Sequence, residues 1–157
     1  MKKFYEYANH ILCFDFPEEL NVISLKQHLP QIKIIDNPKN IHIHVSFHES
    51  SHANIVFDFN KLEIYDEWNK SWLIDLPHLI YSYLKYILFH KNYYSVHSCI
   101  IDDKLFIGHS GSGKTTLCLH ALKNNKEISS FDRSVLSFNH HQLNIISGTD
   151  RSEEHTS

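Results

Sequence analysis

Apolar and polar residues alternate most strictly over residues 41–48. Ile41, Ile43, Val45 and Phe47 take one parity, and His42, His44, Ser46 and His48 take the other. A period of two belongs to a β-strand with one buried face. Residues 54–59 and 62–68 continue the pattern, and the Asn60-Lys61 step between them predicts a hairpin and an antiparallel meander. Upstream, residues 10–16 read as a short strand closed by Pro17. Residues 18–29 read as a helix with acids in its first turn and Pro30 after its end. The period becomes helical over residues 77–90, where Leu79, Ile80, Tyr83, Leu84, Ile87 and Leu88 form one apolar stripe. Asp75 is the expected cap of that helix, and Pro77 fits a first turn.

The second half changes character. Residues 94–101 and 104–107 are β-rich runs joined at Asp102-Asp103, the composition of a tight hairpin. The second run leads straight into a glycine-rich segment. A helix is expected over residues 114–124, burying Leu117, Cys118, Ala121 and Leu122. Residues 127–131 then read as a strand ending at Asp132, with further strands at 135–138 and 143–146. The expected architecture is α/β, with a β-rich region over 1–92 and a second region over 93–150. Residues 151–157, Arg-Ser-Glu-Glu-His-Thr-Ser, translate one frame of a common sequencing adapter. They are expected to be a non-native tail, which makes the chain an N-terminal fragment.

Composition narrows the partners. The chain has 157 residues, of which 42% are hydrophobic, enough for a core. A formal charge of -3 gives no basic footprint for nucleic acid. The longest apolar run, residues 73–89, carries Asp75, Pro77, His78 and Lys85 and is too polar to span a bilayer. The N-terminus lacks the long apolar core of an export signal. Cys13, Cys99 and Cys118 are odd in number and widely spaced, which argues against a disulfide framework and fits a reducing cytosol.

The chemistry concentrates at Gly108-His109-Ser110-Gly111-Ser112-Gly113-Lys114-Thr115, which matches G-x-x-x-x-G-K-[ST]. Glycines let the backbone adopt positive φ and approach an anion closely. Successive N–H groups, continued by Thr116 in the helix that follows, then form a nest for phosphate oxygens. Lys114 supplies a charge for the β and γ phosphates, and Thr115 offers a hydroxyl to magnesium. The expected ligands are therefore ATP, or another nucleoside triphosphate, and Mg2+. An apolar strand before the loop and an amphipathic helix after it set this match apart from a bare Gly-Ser loop.

Residues 95–136, SVHSCIIDDKLFIGHSGSGKTTLCLHALKNNKEISSFDRSVL, resemble the kinase domain of HPr kinase/phosphorylase and its relatives. The family pattern is a strand-opening histidine, a hairpin, the P-loop, a helix, a strand, and an acidic pair often followed by arginine. His97, Lys114 and Asp132 fall on the histidine, the lysine and the second acid, and Arg133 follows. Thr115 stands where the family usually has serine, and Phe131 stands at the first acid. The resemblance implies an HPr kinase/PEP carboxykinase-like nucleotide-binding core. It implies transfer of the γ-phosphate to a Ser or Thr hydroxyl of a protein or peptide, with Asp132 as general base. It does not imply HPr itself as the acceptor. On the residues alone, Asp132 also fits a turn aspartate or one that reaches magnesium through a water. His97 also fits a buried strand histidine. Two other readings stay open: a non-catalytic nucleotide-binding module or degenerate kinase, with Phe131 as its hint, and a small P-loop ATPase. For the last, residues 127–132 match a Walker B strand poorly.

His42, His44, His48 and His52, with Glu49 as a further candidate ligand, admit a metal reading, because histidines at i, i+2 on a strand share a face. The plainer expectation is a solvent-facing row on an alternating strand. His140-His141 is weaker, since strand neighbours face opposite ways. Whether copies of the chain associate is open at this level.

Overall fold

The computed structural model of the chain describes residues 1–109, 111–130, 133–139 and 141–148. It is a mixed α/β structure in two compact units, Met1–Ile87 and Leu88–Ser157. Among the described residues no helix is long and apolar enough to cross a membrane. Phe131, Asp132, Ser110 and the tail at 151–157 lie outside the described residues.

The first unit is built on a six-stranded sheet. Its strands are β1 (Lys2–Tyr7), β2 (His10–Asp15), β3 (Lys33–Ile35), β4 (Ile43–Glu49), β5 (Asn54–Phe57) and β6 (Lys61–Asp66), in the order β3-β1-β2-β4-β6-β5. Helices α1 (Val22–His28) and α2 (Trp72–Phe89) complete the unit. The alternation at 41–48 does its expected work: Ile43, Val45 and Phe47 are buried while His44 and His48 are exposed. Leu12, Phe14, Leu62 and Ile64 join them in the core. The stripe of α2 buries Leu76, Ile80, Tyr83, Leu84 and Ile87. Trp72 meets Phe47 at 5.4 Å, and the Tyr83 hydroxyl donates to the Asp58 carbonyl at 2.9 Å. The two helices meet at His28 and His78, whose rings lie 4.2 Å apart.

Three expectations need correction. The strands do not form an antiparallel meander. β4 runs parallel to both β2 and β6, so from β4 to β6 only β5–β6 closes as a hairpin, as β1–β2 does earlier in the chain. Alternation fixes which face of a strand is buried, but not its neighbour, so this pairing was invisible locally. Helix α1 starts later than predicted, because Asn21 Oδ1 accepts from the N–H groups of Ile23 and Ser24 and caps it there. Glu18, expected in its first turn, instead accepts from Trp68 Nε1 at 2.8 Å. Helix α2 begins at Trp72, not Pro77, so Asp75 is a first-turn residue and Pro77 an internal one. Turn bonds from Trp72 N to Asn69 O and from Ile74 N to Ser71 O start the helix early.

Burial of tyrosine hydroxyls makes this unit sensitive to alkali. Burial, helped by Glu19, pushes Tyr5 from the usual 10.0 up to about 12. Burial, helped by Asp58, also raises Tyr83. The folded state keeps these phenols protonated, whereas the unfolded chain ionises them near 10.0. Their contribution is therefore complete below about pH 10 and is lost as pH rises towards the folded values. Urea midpoints of the first unit are expected to fall between about pH 10 and pH 12, and less steeply in Tyr5→Phe. A midpoint flat over that range would contradict this.

The second unit carries β7 (Tyr93–Ile101), β8 (Lys104–Ile107), α3 (Lys114–Lys123), β9 (Ile128–Ser130), β10 (Arg133–Asn139) and β11 (Gln142–Gly148). The sheet order is β11-β10-β7-β8, with β9 also on β7. Asp102, at φ 52°, makes the tight β7–β8 turn. The offset that sets Ser130 opposite Ile100 also sets Arg133 opposite His97, so β9 and β10 follow one line along β7. Since β8 and β9 are each antiparallel to β7, they run parallel to each other with β7 between them. Cys99, Ile101, Cys118, Ala121 and Ile128 form the core under α3. Leu117 and Leu122, expected inside, are 38% and 41% exposed. Helix α3 buries only the narrow stripe of Cys118 and Ala121.

Candidate functional site

Strand β8 ends at Ile107, opposite Ser98, and β9 ends at Ser130, opposite Ile100. Both strands finish at the same edge of the sheet, where the glycine segment begins. The Gly108 N–H donates to the carbonyl of His97 at 3.2 Å, which ties the start of the segment to β7. The turn is tight. A Cβ on Gly108 would fall 2.5 Å from Ser112 Oγ, so no larger residue fits there without movement. Ser112 N–H closes back onto the His109 carbonyl at 3.1 Å.

Gly111 and Gly113 have φ of 81° and 99°, the left-handed region that glycine enters without the Cβ penalty. Nothing lies within 4 Å of where a Cβ would sit at either position. Gly113 is the N-cap of α3 and offers no side-chain acceptor to the first turn. The first intrahelical bond runs from Leu117 N to Gly113 O at 2.9 Å. A helix start of this kind presents backbone donors and the positive end of its dipole. Lys114 folds back across the segment, and its ammonium donates to the Gly108 and His109 carbonyls at 2.6 Å each.

Each expected residue can now be placed. Gly108 and Lys114 are half-buried, while His109, Gly111, Ser112, Gly113, Thr115 and Thr116 are exposed. His97 is exposed, not buried, which corrects the reading of a buried strand histidine. Asp132 and Ser110 lie outside the described residues. Arg133, next to Asp132 in sequence, pairs with His97, so the described neighbours of Asp132 border the start of the glycine segment.

Sequence reading missed the support around Arg133. Ser98 Oγ donates to Ser134 Oγ at 2.7 Å, with both residues fully buried. That bond ties β7 to β10 diagonally across the His97–Arg133 pair. No local sequence signal announces it, because it depends on strand register. Behind the segment, Cys99 and Cys118 face each other. Burial first, and then a thiol–thiol hydrogen bond with Cys99, pushes Cys118 up to about 12.

The histidines of the first unit meet in pairs, His28 with His78 at 4.2 Å and His10 with His42 at 5.5 Å between ring centres. His42 Nδ1 accepts from the Ile11 N–H at 2.8 Å, and His48 stacks on Tyr65 at 4.8 Å. Among the described residues no group of three or more His, Cys, Asp or Glu could hold a metal. His141 has φ of 63° in the β10–β11 turn, and His140 lies outside the described residues. In comparison with known proteins, no family model, curated protein or solved structure matches the chain.

Proposed function

We propose that the segment from Gly108 to Thr116 is a P-loop, and that the chain binds ATP with Mg2+ as an HPr-kinase-like phosphotransferase. The observation that carries this is the pair of left-handed glycines, Gly111 and Gly113, at a strand-to-helix turn whose helix starts without a side-chain cap. Backbone N–H groups there would hold phosphate oxygens, and Lys114 would neutralise the β and γ phosphates. The open space around Gly111 and Gly113 and the exposed hydroxyl of Thr115 fit a nucleotide and its metal. Magnesium, when bound, would supply charge neutralisation between the phosphates, with Thr115 as its protein ligand.

The acceptor in this reading is a Ser or Thr hydroxyl of a protein or peptide, and Asp132 takes its proton. His109 belongs to the loop, His97 holds its start through the Gly108 N–H and pairs with Arg133, and Arg133 follows Asp132 in sequence. Three free, buried cysteines agree with action in the cytosol. The second reading, a nucleotide-binding module without transfer, is favoured by one feature, the apolar Phe131 where the resembling family has an acid.

One assay separates the two. The chain is incubated with γ-labelled ATP, magnesium and a library of Ser/Thr peptides, beside Asp132→Asn. The kinase reading expects labelled peptide from the native chain only, with ATP bound by both proteins. ATP binding without labelled peptide or released phosphate leaves the module. Absence of ATP binding removes both.

A further inference from the structure

The two edges of the first sheet are built differently. Strand β3, at one edge, is three residues long and begins with Lys33. A short, charged strand is a common way to keep an edge from pairing with another chain. Strand β5, at the other edge, is Asn54-Ile55-Val56-Phe57, without a charge, and all four residues are exposed. Around it lie further exposed apolar groups. Ile55, Val56, Phe57, Phe59 and Tyr86 are 46%, 43%, 57%, 52% and 49% exposed. Phe57 and Phe59 approach the Tyr86 ring at 6.1 and 6.5 Å, so these side chains form one patch.

Backbone phase shows what the edge offers. The Asp58 N–H donates to the Lys61 carbonyl at 2.9 Å, so that pair bonds across the hairpin. In an antiparallel ladder bonded and non-bonded pairs alternate. Asn54 and Val56 therefore bond inward to β6, and the N–H and C=O groups of Ile55 and Phe57 point outward. The outward Ile55 N–H is held by its neighbour, Asn54 Oδ1, at 2.9 Å. By face, Ile55 and Phe57 stand opposite Ile64 and Leu62, on the helix side, and Val56 stands opposite Glu63 on the other side.

We propose that β5 pairs antiparallel with β5 of a second copy, making one continuous sheet about a two-fold axis at Val56. This register is self-consistent. It sets Ile55 of one copy opposite Phe57 of the other, both on the helix side and both with outward backbone groups. Ile55 and Phe57 thus form two symmetric hydrogen-bonded pairs, and Val56 meets its own copy as the non-hydrogen-bonded pair. No like charges meet along the strand. The five side chains, each about half exposed, offer about 1,000 Å² over the two copies, the upper limit of what they can bury before backbone contact is added. That approaches the roughly 1,200–2,000 Å² of a stable interface. An exposed apolar patch of this size on a single chain marks an interaction surface. The pairing is independent of the nucleotide reading.

Sedimentation velocity of the full chain over about 1–100 µM, a range that brackets micromolar association, is expected to give a dimer. Val56→Lys sets two ammonium groups against each other at the axis. It is expected to raise the dimer dissociation constant at least about a hundredfold. Circular dichroism should not change, because Val56 is an exposed position on the polar face. Where Val56→Lys fails to fold, Val56→Cys gives the second test. Cα atoms of a non-hydrogen-bonded antiparallel pair lie about 4.5 Å apart, within the range of a disulfide. Val56→Cys with oxidised glutathione is expected to cross-link two chains, and Glu67→Cys, exposed elsewhere in the unit, is not. A monomer across the whole range, a dimer that survives Val56→Lys, or equal cross-linking through Glu67→Cys would each overturn the pairing. A lone monomer would leave the edge to a strand from a different protein.

Discussion

Replacing Lys114 with methionine is expected to weaken MgATP binding by at least about a hundredfold, with thermal unfolding of the chain little changed. Methionine keeps an apolar stem and removes only the ammonium. In the free chain that ammonium is shared between two carbonyls, those of Gly108 and His109, which already hold it over the loop. It would therefore meet a triphosphate without first having to be ordered. Charge-assisted hydrogen bonds to phosphate are about twice as strong as neutral ones, and two such bonds account for a loss of this size. Isothermal titration calorimetry of both proteins measures it. Equal affinities would mean that the phosphates bind elsewhere, and the P-loop reading would fall.

Phe14→Ala is expected to destabilise the first unit by about 3–5 kcal/mol. Phe14 is 1% exposed, and its ring meets Tyr5 at 4.8 Å and Phe16 at 5.6 Å. It sits on β2, between β1 and β4 in the sheet, so truncation leaves a void in the middle of the core. A loss of this size is a large part of the total stability of a typical domain. The chain's two tryptophans, Trp68 and Trp72, both lie in the first unit, so urea unfolding followed by their fluorescence reports on that unit. A midpoint within error of the native one would show that the site repacks without a void.

The elements carried by local chemistry were legible in the sequence. The alternating run at 41–48, the two-residue turn at Asp102-Asp103 and the strand before the glycine segment each follow from neighbours a few residues apart. So does the helix starting at Lys114, because glycine at 113 both permits the left-handed turn and ends the strand-like pattern. What depends on distant residues was not legible. The parallel contacts of β4 with β2 and β6 need a crossover that no local pattern announces. Leu117 and Leu122 carry an amphipathic spacing, but burial depends on what lies over the helix. The early start of α2 comes from turn bonds around Asn69 and Ser71, which outweigh the pull of Pro77 as a start signal. For the candidate site, the glycine segment lies between a strand and a helix, as its flanking residues predicted. The adjacency of His97, Arg133 and Gly108 required the register of three strands.

The three thiols are all buried and lie one in the first unit and two in the second. Burial raises Cys13 and Cys118 above the ordinary thiol range, so neither is reactive while its unit stays closed. The chain thus carries its own clock for opening. The rate at which an alkylating reagent tags Cys13 measures how often the six-stranded sheet breathes. Tagging of the Cys99–Cys118 pair measures the same for the layer beneath the glycine segment, and anything that grips that segment should slow the second rate while leaving the first alone.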